Sequence, residues 1–114
     1  AVTQYTNPRA YLLDVLSMRQ KSEPGFSVRQ WAQEMGLKSH SLLVLLLQRK
    51  RPIRLSHVNF LAPSLKLSSA ERLYFQAMIQ LANASSDEEK RLCELWLSEL
   101  NPGSDFRVKE IDQY

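Results

Sequence analysis

Apolar residues in this chain recur mostly at intervals of three and four, and the polar stretches between them hold helix-start and helix-stop residues. That pattern predicts an all-α chain of about six helices. Asn7-Pro8 opens the first helix: Asn caps, and Pro at the first helical position gives up no needed hydrogen bond. It runs to about Lys21 with Tyr11, Leu12, Leu13 and Leu16 inward, and Pro24-Gly25 turns the chain. Residues 1–6 are polar and are expected to fray. Ser27 and Gln30 form a capping box for the second helix, and Phe26 with Trp31 form a hydrophobic staple around it. Gly36 ends it at a position that favours positive φ. Ser39 caps a third helix ending near Gln48, and Pro52 bars continuation.

The second half continues the pattern. A fourth helix begins near Ser56, with Val58, Leu61 and Leu65 at helical spacing. Pro63 removes the hydrogen bond to the Asn59 carbonyl, so a kink, or a stop at Ala62, is expected. Ser68 and Glu71 box a fifth helix to about Asn83, with Leu73, Ala77, Met78 and Leu81 inward. Ser86 and Glu89 box a sixth to about Leu100, and its acidic first turn suits the positive end of the helix dipole. Leu92, Leu95, Trp96 and Leu100 share one face of that helix. Asn101-Pro102-Gly103 stops it, and Phe106, Val108 and Ile111 belong to a linker or the opening of a further element.

Composition narrows the class. Among 114 residues there is one Cys, so no internal disulfide forms, and two His cannot make a metal site alone. Both fit a reducing, cytoplasmic setting. No apolar run reaches the ~20 residues of a membrane span, and no leader opens the chain. The chain starts without Met, and a piece of a longer protein is expected. Charge is divided unevenly. Residues 1–66 hold ten Lys/Arg against three Asp/Glu, net +7, and residues 67–114 hold five against nine, net −4. One polyanion-facing surface and one surface turned away from it are implied.

Residues 28–47 carry the pattern of two helices crossing closely about a tight turn. Ala32 is small at the crossing, Gly36 stands four later in the turn, and Trp31, Met35, Leu37, Leu42 and Leu45 take the apolar places that hold the pair together. A plain helical hairpin would supply only part of this. Residues 27–67 resemble the lambda-repressor-like (Cro-type) helix-turn-helix family. The resemblance rests on Gly36-Leu37-Lys38-Ser39, the helix from Ser41-Leu42 to Leu47, the basic Arg49-Lys50-Arg51, and Leu61-Ala62-Pro63-Ser64-Leu65. The wider chain is similar to an uncharacterised bacterial family that occurs in expanded paralogous sets. That likeness rests on Phe26-Ser27-x-Arg29, Gly36-Leu37-x-Ser39, Lys50-Arg51, Tyr74-Phe75 and Asp87-Glu88-Glu89-Lys90. It implies a regulatory role and a chain that continues further. The expected organisation is a helix-turn-helix domain over 7–67, a helical hairpin packed on it over 68–101, and a linker or the start of a further region over 102–114.

In the docking mode of that family, a recognition helix of about 39–48 enters the major groove of double-stranded DNA. Lys38, Ser39, His40, Ser41 and Val44 then face base edges. Arg29, Gln30, Arg49, Lys50, Arg51 and Arg54 meet phosphates, which fix affinity and orientation rather than sequence. Leu42 to Leu47 is apolar all round, which normally marks a buried helix. Leu43 and Leu47 fall where polar readers are usual. Three readings stay open there: later helices cover them, a second copy or another protein covers them, or the helix reads by shape and methyl contact. The alternative to a DNA-binding regulator is therefore a protein-interaction or dimerisation module built on this helix. His57 and Cys93 read as solvated and as packing. No Gly-rich phosphate loop, metal spacing or nucleophile–base arrangement stands out, so neither an enzyme nor a cofactor is expected.

Overall fold

Most helices of this chain begin where a side chain takes over an orphan amide. The computed structural model describes residues 1–101, so Phe106, Val108, Ile111 and the expected linker lie outside the described residues. Those described form six α-helices and no strand: α1 Pro8–Ser22, α2 Val28–Glu34, α3 Ser41–Leu47, α4 Val58–Ser64, α5 Ser69–Ala82 and α6 Asp87–Leu100. Single 3-10 turns lie at Val2–Gln4 and Leu55–His57. No helix among them is long and apolar enough to cross a membrane.

The caps follow the sequence closely. Asn7 Oδ1 accepts from the Arg9 and Ala10 amides at 2.9 and 3.2 Å, and Ser27 Oγ accepts from the Gln30 amide at 3.2 Å. The α5 box closes in both directions, Ser68 N to Glu71 Oε1 at 2.9 Å and Glu71 N to Ser68 Oγ at 3.2 Å. At α6 the Glu89 amide donates to Ser86 Oγ, while the Glu89 carboxylate reaches one residue further back, to Ser85 N and Oγ. Among the described residues Gln30 makes no return bond, so the α2 box is half built.

Helices α2, α3 and α4 are seven residues each and stop in one way. A residue in the left-handed region follows each: Gly36 at φ 81°, Arg49 at 61° and Lys66 at 57°. Each turn is closed by a pair of amide bonds: Leu37 N to Ala32 O with Gly36 N to Gln33 O, Lys50 N to Leu45 O with Arg49 N to Leu46 O, and Leu67 N to Ala62 O with Lys66 N to Pro63 O. Pro63 does not end α4, because Leu65 N still bonds Leu61 O at 3.0 Å. The carbonyl that Pro63 leaves open belongs to exposed Asn59, where water can satisfy it.

Helix α5 lies at the centre of the packing. It touches α1, α6 and both 3-10 turns, and its Tyr74, Phe75, Ala77, Met78 and Ile79 are buried. Leu73, expected inward, is exposed. Residues 1–6 do not fray. Val2 is 1% exposed, Tyr5 stacks edge-on against Tyr11 at 5.1 Å, and Tyr74 donates its hydroxyl to the Tyr5 carbonyl at 2.6 Å. Two apolar side chains in a polar stretch are enough to dock it.

The two leucine-rich helices bury their apolar side chains differently. Leu43 and Leu47 are 0% and 7% exposed and lie with Leu46 in the chain's own core. Helices α1 and α2 pack on α3, and Arg9 Nη1 donates to the Leu47 carbonyl at 3.1 Å. The covering is thus intramolecular, and no face for a partner exists at these two leucines. On α6 the inward side is Cys93 and Leu97, with Leu100 packed alongside. Leu92, Leu95 and Trp96 stand 65%, 56% and 39% exposed. The helix carries two overlapping apolar stripes, and α5 covers the one through residues 93, 97 and 100.

Candidate nucleic-acid interface

The turn after α2 builds the first half of the site. Gly36 reverses the chain, so residues 37–40 come back across α2. Arg29, Lys38, Ser39 and His40 then share a hollow of about 240 Å³ with Ala32 and Leu37. Gln30 is exposed beside Arg29 on the first turn of α2. Ser39 Oγ accepts from the Ser41 amide at 3.2 Å, so Ser39 supports the start of α3 from just outside it. His40 is the residue before the helix, and its ring makes no capping bond.

The outer side of α3 is narrower than expected. With Leu43, Leu46 and Leu47 inward, the opposite positions are Ser41, Val44, Leu45 and Gln48 at spacings of three and four. Ser41 and Gln48 are exposed, Val44 and Leu45 half-buried. Leu45, expected between the two helices, thus lies on the outer side together with Gln48. Spacing alone does not set this register, because every position from 42 to 47 is apolar.

The basic segment divides. Arg49, Lys50 and Arg51 are exposed. Arg49 and Arg51 line a second hollow of about 380 Å³ with Arg9, Pro8, Pro52 and Asn83, and among the described residues no carboxylate lines it. Arg9, next to the Asn7-Pro8 cap, is not among the residues the sequence singles out. Arg54 parts from this group and lines a third hollow with Leu55, Leu92 and Trp96. The Arg54 amide donates to His57 Nδ1 at 2.9 Å. Burial first, then the charges of Arg51 and Arg54, hold His57 below the ordinary imidazole value, which keeps that nitrogen an acceptor.

The acids of the front half are all engaged elsewhere. Asp14 accepts from the Tyr5 hydroxyl at 2.7 Å. Glu23 and Glu34 both hold Arg19, at 2.8 and 2.7 Å, and the Arg19 guanidinium lies 4.0 Å from the centre of the Phe26 ring. Hydrogen bonding to Arg19 keeps both carboxyls below their usual range. Among the described residues, Arg29, Lys38, Arg49, Lys50 and Arg51 therefore make no ion pair. No group of three His, Cys, Asp or Glu side chains among them is placed to hold a metal.

Comparison with protein-family models, with curated proteins and with solved structures gives no match. Chemically, the two basic hollows lie toward opposite ends of a helix that rises roughly 10 Å. Guanidinium and ammonium groups without carboxylate partners are suited to phosphate oxygens.

Proposed function

We propose that this chain is a DNA-binding transcriptional regulator of the lambda-repressor-like helix-turn-helix kind, acting in the cytoplasm. The observation that carries the proposal is the charge arrangement around α3. Cations without carboxylate partners stand at both its ends, while Asp14, Glu23 and Glu34 are tied to Tyr5 and Arg19. In this reading α3 enters the major groove. Lys38, Ser39, His40, Ser41 and Gln48 face base edges, and Val44 meets a thymine methyl. Arg29 and Gln30 at one end and Arg9, Arg49, Lys50 and Arg51 at the other hold phosphates. A two-fold operator would take a second copy about 34–36 Å away. The rival reading, a protein-interaction module working through α3, has less support, since Leu43 and Leu47 are core residues.

Binding to duplex DNA across a salt series tests the proposal. Affinity should fall steeply with salt, and Lys50→Ala with Arg51→Ala should lower the log–log slope by about two, one for each phosphate that no longer meets a cation. No binding at the lowest salt rejects the reading.

A further inference from the structure

The third hollow takes no part in the DNA reading. It is a groove of about 680 Å³ between α5, α6 and the Leu55–His57 turn. Leu55, Leu92 and Trp96 form its sides, and Ile79 and Cys93 its buried floor. The size falls within the roughly 300–1,000 Å³ of small-molecule sites, and the lining has their usual mix of apolar walls with a few polar groups. Two of those polar groups are committed. Asn83 Nδ2 donates to the Ile53 and Ile79 carbonyls at 2.8 and 3.0 Å, and the Glu89 carboxylate is held by Ser85. The other two, the Arg54 guanidinium and the Gln80 amide, have no hydrogen-bond or ion-pair partner among the described residues.

We propose that this groove binds a small amphipathic carboxylate. Its apolar body lies along Leu55, Leu92 and Trp96, and its carboxylate takes a charge-assisted bond from Arg54 with Gln80 as a further donor. Among the described residues Arg54 is the one cation lining the groove, and the one carboxylate there, Glu89, is held by Ser85 and makes no ion pair with it, so the guanidinium is left for one anionic group. Charge also argues against a second copy as occupant. Helix α6 carries five acids, Asp87, Glu88, Glu89, Glu94 and Glu99, against Lys90 and Arg91. An isologous pairing of α6 with α6 would set this excess against itself.

Trp96 supplies the readout, because Trp31 is fully buried with its Nε1 bonded to Ser64 at 2.7 Å. The chain is titrated with decanoate and, separately, with decanol, following tryptophan emission and, in parallel, heat by calorimetry. Saturable decanoate binding with a blue shift that Trp96→Phe abolishes is expected. Arg54→Gln should weaken decanoate roughly ten-fold or more, the loss of one hydrogen bond to a charged group, and leave decanol unchanged. Leu92→Glu should weaken both. Equal affinity for decanoate and decanol, or no effect of Arg54→Gln, overturns the proposal. So does a dimer in sedimentation that Leu92→Glu converts to monomer, since a second copy then fills the groove. No DNA enters this experiment, so its failure leaves the DNA reading standing.

Discussion

Helices α3 and α6 put apolar side chains to opposite use. Six of the seven α3 residues are apolar, and the three inward leucines vanish into the core. Helix α6 is half as apolar and richly charged, yet it leaves Leu92, Leu95 and Trp96 in solvent. The starts of the two helices differ in the reverse sense. Helix α6 has a serine cap and three acids in its first turn, whereas α3 begins at His40 with no side-chain cap bond. Neighbours explain the contrast. Helix α3 is flanked by α1 and α2 and fills the space between them, so tertiary packing holds it. Helix α6 meets chiefly α5, so it needs local support and has a face to spare.

The largest test of this contrast is a pair of truncations. Leu46→Ala should cost about 2–5 kcal/mol in urea unfolding, the usual loss for a buried leucine. Leu92→Ala should stay within about 0.5 kcal/mol, as at an ordinary surface site. Equal losses would mean that something covers α6 in solution. Removing the caps sharpens the difference in local support. Ser86→Ala should lower stability by about 1 kcal/mol, while His40→Ala should leave the urea midpoint unchanged because its ring caps nothing.

A smaller effect of opposite sign is expected at the end of α3. Arg49 sits at φ 61°, where a side chain is strained. Arg49→Gly should therefore raise the melting temperature, with a gain of up to about 1 kcal/mol, while weakening DNA binding at low salt. The smallest effect concerns acid. Arg19 depresses the carboxyl groups of Glu23 and Glu34, so on acidification the unfolded chain takes up these protons before the folded one. Their contribution is complete above the ordinary carboxyl value of 4.5 and is lost as pH falls through the lower folded values. Glu34→Gln should flatten part of that acid limb in thermal melts and leave the neutral region nearly unchanged, since the pair is solvent-exposed.

Local signals were legible in the sequence, and counts of neighbours were not. Asn7, Ser27, Gly36, Ser68 and Ser86 act within a few residues of themselves, so their types alone placed the helix ends. Periodicity names the faces of a helix but not how many of them are covered. Helix α3 shows this: once its residues are nearly all apolar, periodicity cannot choose among Leu42, Leu43, Leu45 and Leu47. The two stripes on α6 leave a similar choice: Leu92, Leu95 and Trp96 share one face, and α5 covers the other. Arg49 and Lys66 escaped notice as helix stops because neither is the glycine that usually marks a left-handed residue. For the candidate site, Arg29, Lys38, Ser39 and His40 gathered because one turn links them. The company of Arg9 with Arg49 and Arg51 depends on α1 meeting α3 across nearly forty residues of chain, with Arg9 bonded to Leu47 at a separation of 38.

The seven-residue length shared by α2, α3 and α4 has a kinetic meaning. Isolated helices shorter than about 12–15 residues are marginal in water, so none of these three can persist once its neighbours leave. They should open as one cooperative unit, with core amides exchanging hydrogen only through global unfolding. Helix α6 is twice as long, capped and set at the edge, and it can detach on its own at lower free energy. Amide exchange would then divide the chain into a slow block over α2–α4 and a faster helix at its rim.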